Sequence, residues 1–263
     1  VSTEVAAGVT ADVAAATNPW RPDVRRLTGE FVGTAFLLAG VVGSGIMAEN
    51  LTDDVGLQLL QNAFATAGVL VALILAFGSV SGAHFNPAVT ITDRVFGGID
   101  TPTAVWYVAA QTTGGIVGVI AANIMFDLDA VEWSTKDRSS ANLVFAEGIA
   151  TLGLLLVIFG VVRSGRTSVV AFAVGAYIGG AYYFTSSTSF ANPAVTVSRM
   201  FSDTFAGIEP ASAPMFVVAQ LIAVGVAVVL IRVMYPDMED YADQVVVPHG
   251  ESADEPAPAD QPG

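Results

Sequence analysis

The chain has 263 residues, 53% of them apolar and 13% charged, with a mean hydropathy of +0.63; soluble domains carry about 25% charged residues, so the composition excludes an ordinary soluble fold and favours a membrane protein. The net charge of −14 points to no partner by itself, because a third of the acids lie between Asp237 and Asp260. The absence of cysteine excludes disulfides, thiolate metal sites and thiol redox chemistry.

Residues 1–26 read as an N-terminal cytoplasmic segment. They lack a basic region followed by an apolar one, so no cleaved signal is expected. Six apolar stretches then reach the roughly 20 residues that cross a bilayer: Leu27–Ala48, Leu59–Val80, Thr103–Phe126, Ala141–Val162, Thr167–Ser186 and Ser212–Tyr235. The charged residues within them are Glu30, Glu147 and the terminal Arg232. Runs of this length span as helices, because a helix satisfies its own backbone in lipid. The predicted fold class is therefore an all-α membrane protein. Residues 27–235 form its channel domain, in repeats of about 27–126 and 141–235. Residues 236–263, rich in Pro and acids, read as a disordered tail.

Basic residues set the orientation. With the N-terminus inside, Arg21, Arg25, Arg26, Arg94, Arg163, Arg166 and Arg232 are cytoplasmic, whereas Lys136, Arg138 and Arg199 are external. That excess predicts cytoplasmic termini in a multi-pass protein of the cell membrane.

The chain repeats itself. Gly82-Ala83-His84-Phe85-Asn86-Pro87-Ala88-Val89-Thr90 is echoed by Thr188-Ser189-Phe190-Ala191-Asn192-Pro193-Ala194-Val195-Thr196. Upstream, Glu30 matches Glu147; downstream, Gln111 matches Gln220. Each copy holds three spans, an odd number, so the second must enter the membrane upside down. Inverted repeats place the working site near the bilayer midplane.

Each motif opens a short stretch, Asn86 to Phe96 and Asn192 to Phe201. Ten helical residues rise about 15 Å, half the hydrocarbon core of about 30 Å. Two re-entrant half-helices are therefore predicted, meeting at the centre. Asn is a favoured N-cap and Pro a favoured first helical residue. A capping Asn accepts through its oxygen, which is expected to leave its NH₂ free to face the pore. With the positive ends of two half-helices, the arrangement favours neutral solutes that accept hydrogen bonds and opposes cations.

The paired motifs of Asn86, Pro87, Ala88 and Asn192, Pro193, Ala194, the Ser81–Val89 stretch, and Glu30 with Glu147 resemble the aquaporin and aquaglyceroporin (major intrinsic protein) family. The resemblance covers about Leu27 to Tyr235. It implies the hourglass fold and a homotetramer with one pore per subunit. No catalytic constellation is visible in the residues, so no enzymatic activity and no cofactor are expected.

The chain departs from that family at the position after the second motif. Water channels and glycerol facilitators carry a filter Arg there, and this chain has Val195. Arg199 is not that position. Counting from the motifs gives Thr66 where water channels usually have Phe, and Gly180 where they usually have His; Ser189 completes the set. The inferred filter of Thr66, Gly180, Ser189 and Val195 is expected to be wide and weakly charged, with the half-helix dipoles as the main barrier to ions. This filter is similar to a bacterial branch of the family associated with arsenic resistance. The resemblance implies passage of neutral arsenous acid, with antimonite, glycerol and water as further solutes. A water-selective channel and, less favoured, a proton-coupled transporter remain as alternatives.

Glu30 and Glu147 sit inside spans, where acids raise a functional hypothesis. Their symmetry before the two motif loops favours a supporting role as acceptors for loop N–H groups, and Gln111 and Gln220 read alike. His84 is expected to stabilise its loop rather than bind metal. The paired glycines Gly29/Gly33, Gly114/Gly115/Gly118 and Gly175/Gly179 permit close helix approach.

Overall fold

The computed structural model describes residues 20, 21 and 23–245. Most of the predicted N-terminal segment, and the tail beyond residue 245, lie outside the described residues.

Among the described residues, six helices are long and apolar enough to span a membrane. They are α1 (Val24–Leu51), α2 (Val55–Ser81), α4 (Thr101–Met125), α5 (Ala141–Arg163), α6 (Val170–Phe184, preceded by a 3-10 turn at Thr167–Val169) and α8 (Ala213–Met234). Two short helices follow the motifs: α3 (Pro87–Phe96) and α7 (Pro193–Ser198), the latter continued by a 3-10 turn at Arg199–Phe201. Several helices begin earlier than hydropathy suggests because acids cap them. Asp23, Asp54 and Asp100 accept from the backbone N–H groups of Arg26, Leu57 and Thr103. A capping carboxylate fills a donor left open by the first helical turn, and this cue lies outside the apolar window.

The two repeats pack alike. Helix α1 lies against α2 and α4, and α5 lies against α6 and α8. Contact across the repeats runs through α2 with α6, and each half-helix touches both α4 and α8. The α1–α4 seam is close because of its glycines. A methyl on Gly114 would meet the carbonyl of Phe31, and one on Gly118 the carbonyl of Ala35. The outer faces remain apolar and exposed at Phe36, Phe64, Phe145, Ile222 and Val233, as lipid requires.

The chain after α8 corrects one expectation. The predicted disordered tail began at residue 236, yet Met238–Gln244 forms a 3-10 segment. Met238, Ala242 and Val245 are buried, packed against α3 and α5. The Arg163 guanidinium makes a two-pronged ion pair with Asp237. This cluster holds Asp237 below the usual carboxylate range, chiefly through the hydrogen bond from Arg163. The apolar residues between the acids decide the fold here, a pattern that average composition hides.

Candidate functional site

The two motif loops meet at the centre of the bundle with near-twofold symmetry. Positive φ angles occur at Gly82 (85°), Ala83 (50°) and Phe85 (49°), and again at Thr188 (63°), Ser189 (52°) and Ala191 (48°). These are corresponding residues of the repeat. Five of the six are not glycine, so the left-handed backbone carries a steric cost that surrounding contacts must offset.

Those contacts are visible. Glu30 accepts from the backbone N–H groups of His84 (3.0 Å) and Phe85 (2.8 Å), from the Ser81 hydroxyl (2.6 Å) and from the Gln111 amide (2.7 Å). In the second repeat Glu147 accepts from the N–H of Phe190 (3.1 Å), from the N–H of Ala191 and from Gln220 (3.0 Å). Gln111 also donates to Thr90 (2.9 Å), and Gln220 to Thr196 (2.9 Å). Both carboxyl groups are fully enclosed.

Asn86 caps α3 by accepting from Ala88 N–H (2.8 Å). Asn192 caps α7 by accepting from the N–H groups of Ala194 (2.9 Å) and Val195 (3.2 Å). The expectation of a free NH₂ on each needs correction. The Asn86 amide donates to the carbonyl of Ala191 (2.8 Å), and the Asn192 amide donates to the carbonyl of Phe85 (2.8 Å). Each NH₂ has two hydrogens, so the crossed pair uses one and locks the loops together. The sequence shows both motifs but not their approach, so it could not supply these partners.

A narrow cavity of about 60 Å³ runs past this junction. A water needs about 10–15 Å³ in this measure, so the space suits a short file of waters. Asn86, Asn192 and His84 line it, as do Thr66, Ser189 and Val195. His84 is held between the Thr90 hydroxyl (3.1 Å from Nδ1) and Asp93 (3.5 Å from Nε2). Among the described residues, no three His, Cys, Asp or Glu side chains come together to hold a metal ion.

Gly180 does not join the other inferred filter residues. It is exposed, with open space where a side chain would stand. The cavity wall is instead Val174, Ile178 and Tyr182, successive positions of one helical face. Residue 180 lies two steps from both 178 and 182, on the opposite side of α6. Counting back from Asn192 passed through the loop 185–191, whose path no residue count reveals. The Tyr182 hydroxyl lies 3.1 Å from Thr66 Oγ1, so an aromatic ring stands where none was expected.

Arg199 is the second residue that counting missed. It is buried and lines the cavity with Val195, four residues away and one turn on. Its Nε donates to the carbonyl of Ala206. Its guanidinium carbon lies 3.5 Å from the Phe190 ring centroid. Helical spacing from Val195 was the available signal.

Residues 19–182 match the family described as Major intrinsic protein. The chain belongs to the major intrinsic protein family. An aquaglyceroporin, AqpS, of Rhizobium meliloti (strain 1021) is 45% identical over 208 residues, covering 79% of this chain and 89% of that protein. A probable aquaporin, NIP4-2, of Arabidopsis thaliana is 32% identical over 147 residues, or 55% of this chain and 51% of that protein. Among solved structures, the aquaglyceroporin from Plasmodium falciparum aligns with a TM-score of 0.65 at 24% identity. That alignment covers 82% of this chain and 98% of the other, a likeness of fold. This major intrinsic protein is thus a multi-pass membrane protein of the aquaporin fold, and its relatives are channels, not enzymes.

Proposed function

We propose that the chain is a passive, aquaglyceroporin-like channel for small neutral solutes, and that arsenous acid leaving the cell is the solute it serves. Antimonite, glycerol and water are further candidates. The observation that carries this reading is the cavity wall itself. Val195 replaces the family's filter Arg, beside Thr66 and an unpartnered Ser189 hydroxyl. The wall offers small polar groups to a neutral triol and does not place a guanidinium at that point. The similarity to the aquaglyceroporin AqpS supports the aquaglyceroporin part of this reading.

Glu30, Glu147, Gln111 and Gln220 hold the motif loops in this account. Their hydrogen bonds are committed to the loops, which disfavours a proton relay. The distribution of basic residues supports cytoplasmic termini in a cell-membrane protein. The family resemblance supports assembly as a homotetramer.

Tyr182 favours the second reading, a narrower and water-selective channel, because its ring supplies bulk that the inferred filter of Thr66, Gly180, Ser189 and Val195 lacks. Stopped-flow swelling of proteoliposomes separates the two. The aquaglyceroporin reading expects glycerol and arsenite to enter well above empty vesicles, and Val195→Arg to cut both about tenfold or more while water persists. Water flux without glycerol or arsenite flux in the wild type would select the narrow channel.

A further inference from the structure

The sequence places three basic residues on the outer side, Lys136, Arg138 and Arg199. The fold gathers all three around the outer end of the pore. The α4–α5 loop is fastened to the chain after α7: Ser134 N–H donates to Met200 (2.9 Å), Thr135 N–H to Asp203 (2.8 Å), and Glu209 N–H to the carbonyl of Lys136 (2.8 Å). This carries Arg138 inward until it is 7% exposed.

Arg138 and Arg199 then share one ring. The Arg199 guanidinium lies 3.5 Å and that of Arg138 5.0 Å from the Phe190 centroid. Arg138 is held by the carbonyls of Gly207 (2.9 Å) and Ser187 (3.3 Å). Lys136 donates to the carbonyl of Phe205 (2.7 Å) and lies 4.7 Å from that ring's centroid. Carbonyls and ring faces hold these cations. Among the described residues, the ion pairs lie elsewhere. The acids near them have other partners: Glu49 accepts from Phe205 N–H, Asp203 from Thr135, and Glu147, the acid that faces both arginines, from the N–H groups of Phe190 and Ala191 and from Gln220.

We propose that Arg199, with Arg138 behind it on Phe190, is the cation-excluding element of this pore, set one helical turn outward from the position where the family carries its filter Arg. The proposal rests on the channel reading above. Arg199 makes no ion pair among the described residues, and the Glu147 carboxyl that partly offsets it is committed to the motif loop, so its guanidinium in a low-dielectric lining repels a passing cation. Donors remain available as well, because Nε alone is bonded, to Ala206, among the described residues. A neutral hydroxylated solute can therefore meet Val195 as an apolar wall and Arg199 as a donor in succession. On this view the missing Arg at position 195 does not leave the half-helix dipoles as the main barrier. It separates the size-limiting point from the charged one.

The test uses the full chain in proteoliposomes, reading potassium leak against glycerol flux. Arg199→Gln is expected to raise the ratio of potassium leak to glycerol flux at least roughly tenfold, and Arg138→Gln to raise it by less. The double variant Val195→Arg with Arg199→Gln is expected to restore cation exclusion and lower glycerol flux, because it returns the charge to the narrow point. If Arg199→Gln does not fold, Arg138→Gln and Arg199→Lys decide, the former leaky and the latter tight. An unchanged ratio in every folded variant overturns the proposal, including when thermal stability falls, since that pattern is a structural role alone. Absence of glycerol flux in the wild type would instead overturn the channel reading.

Discussion

At the scale of single residues, two buried carboxylates organise the pore centre. Replacing Glu30 by Ala would orphan the N–H groups of His84 and Phe85, the Ser81 hydroxyl and one Gln111 donor. Each buried unsatisfied group costs about 1–3 kcal/mol. Glu30→Ala and Glu147→Ala are therefore expected to lose several kcal/mol, and the Gln variants less, because one acceptor oxygen survives. Thermal unfolding in detergent ranks them; equal stability of the Ala and Gln forms would contradict the account. Lys136 gives a pH signature. Burial, followed by the charges of Arg138 and Arg199, pushes its ammonium from 10.5 down to about 8, against the opposing pull of Glu49 and Asp203. The charged form is disfavoured in the folded state, so the unfolded chain binds more protons between those two values. The contribution of this group to stability therefore rises with pH across that window. Melting curves from pH 7 to 10 should show a rise that Lys136→Met reduces.

At the scale of elements, helix contacts and helix phase decide what the pore contains. The α1–α4 seam depends on the absence of side chains at Gly114 and Gly118. A bulky residue at Gly118 would push α4 away from Ala35 and, through it, displace Gln111 from Glu30. Gly118→Val is expected to cost about 1–3 kcal/mol or more from overpacking and to lower flux for every solute alike. Loss of selectivity with flux intact would contradict that. Helix phase explains why one filter residue was misplaced and another missed. The stripe Val174, Ile178, Tyr182 is a plain i, i+4 pattern in the sequence. Its facing was hidden because α6 is apolar on every side, so periodicity offers no contrast. The α3 and α7 starts were legible because Asn-Pro carries its own capping chemistry.

At the scale of the whole molecule, the inverted repeat brings distant loops to one point, and the chain after α8 closes over one end. Met238 is 1% exposed and sits against the half-helix α3 and helix α5. Met238→Ala is expected to cost about 2–5 kcal/mol, readable as a lower melting temperature. Unchanged melting would show that the segment adds no stability. The exposed apolar belt, with Phe64 at 81% and Phe145 at 72%, matches a surface that only lipid or neighbouring subunits can cover.

The sequence by itself determined the spans, the odd number of them in each repeat, the inversion that follows, the two half-helix starts and the glutamates paired with them. All of these rest on local chemistry or on order along the chain. Tertiary structure decided how the Asn amides cross to the opposite loops, that Tyr182 rather than Gly180 faces the cavity, and that Arg199 joins Val195 there. These depend on helix rotation and on the path of an irregular loop. Both are set by packing between residues far apart in sequence, and no local residue pattern encodes them.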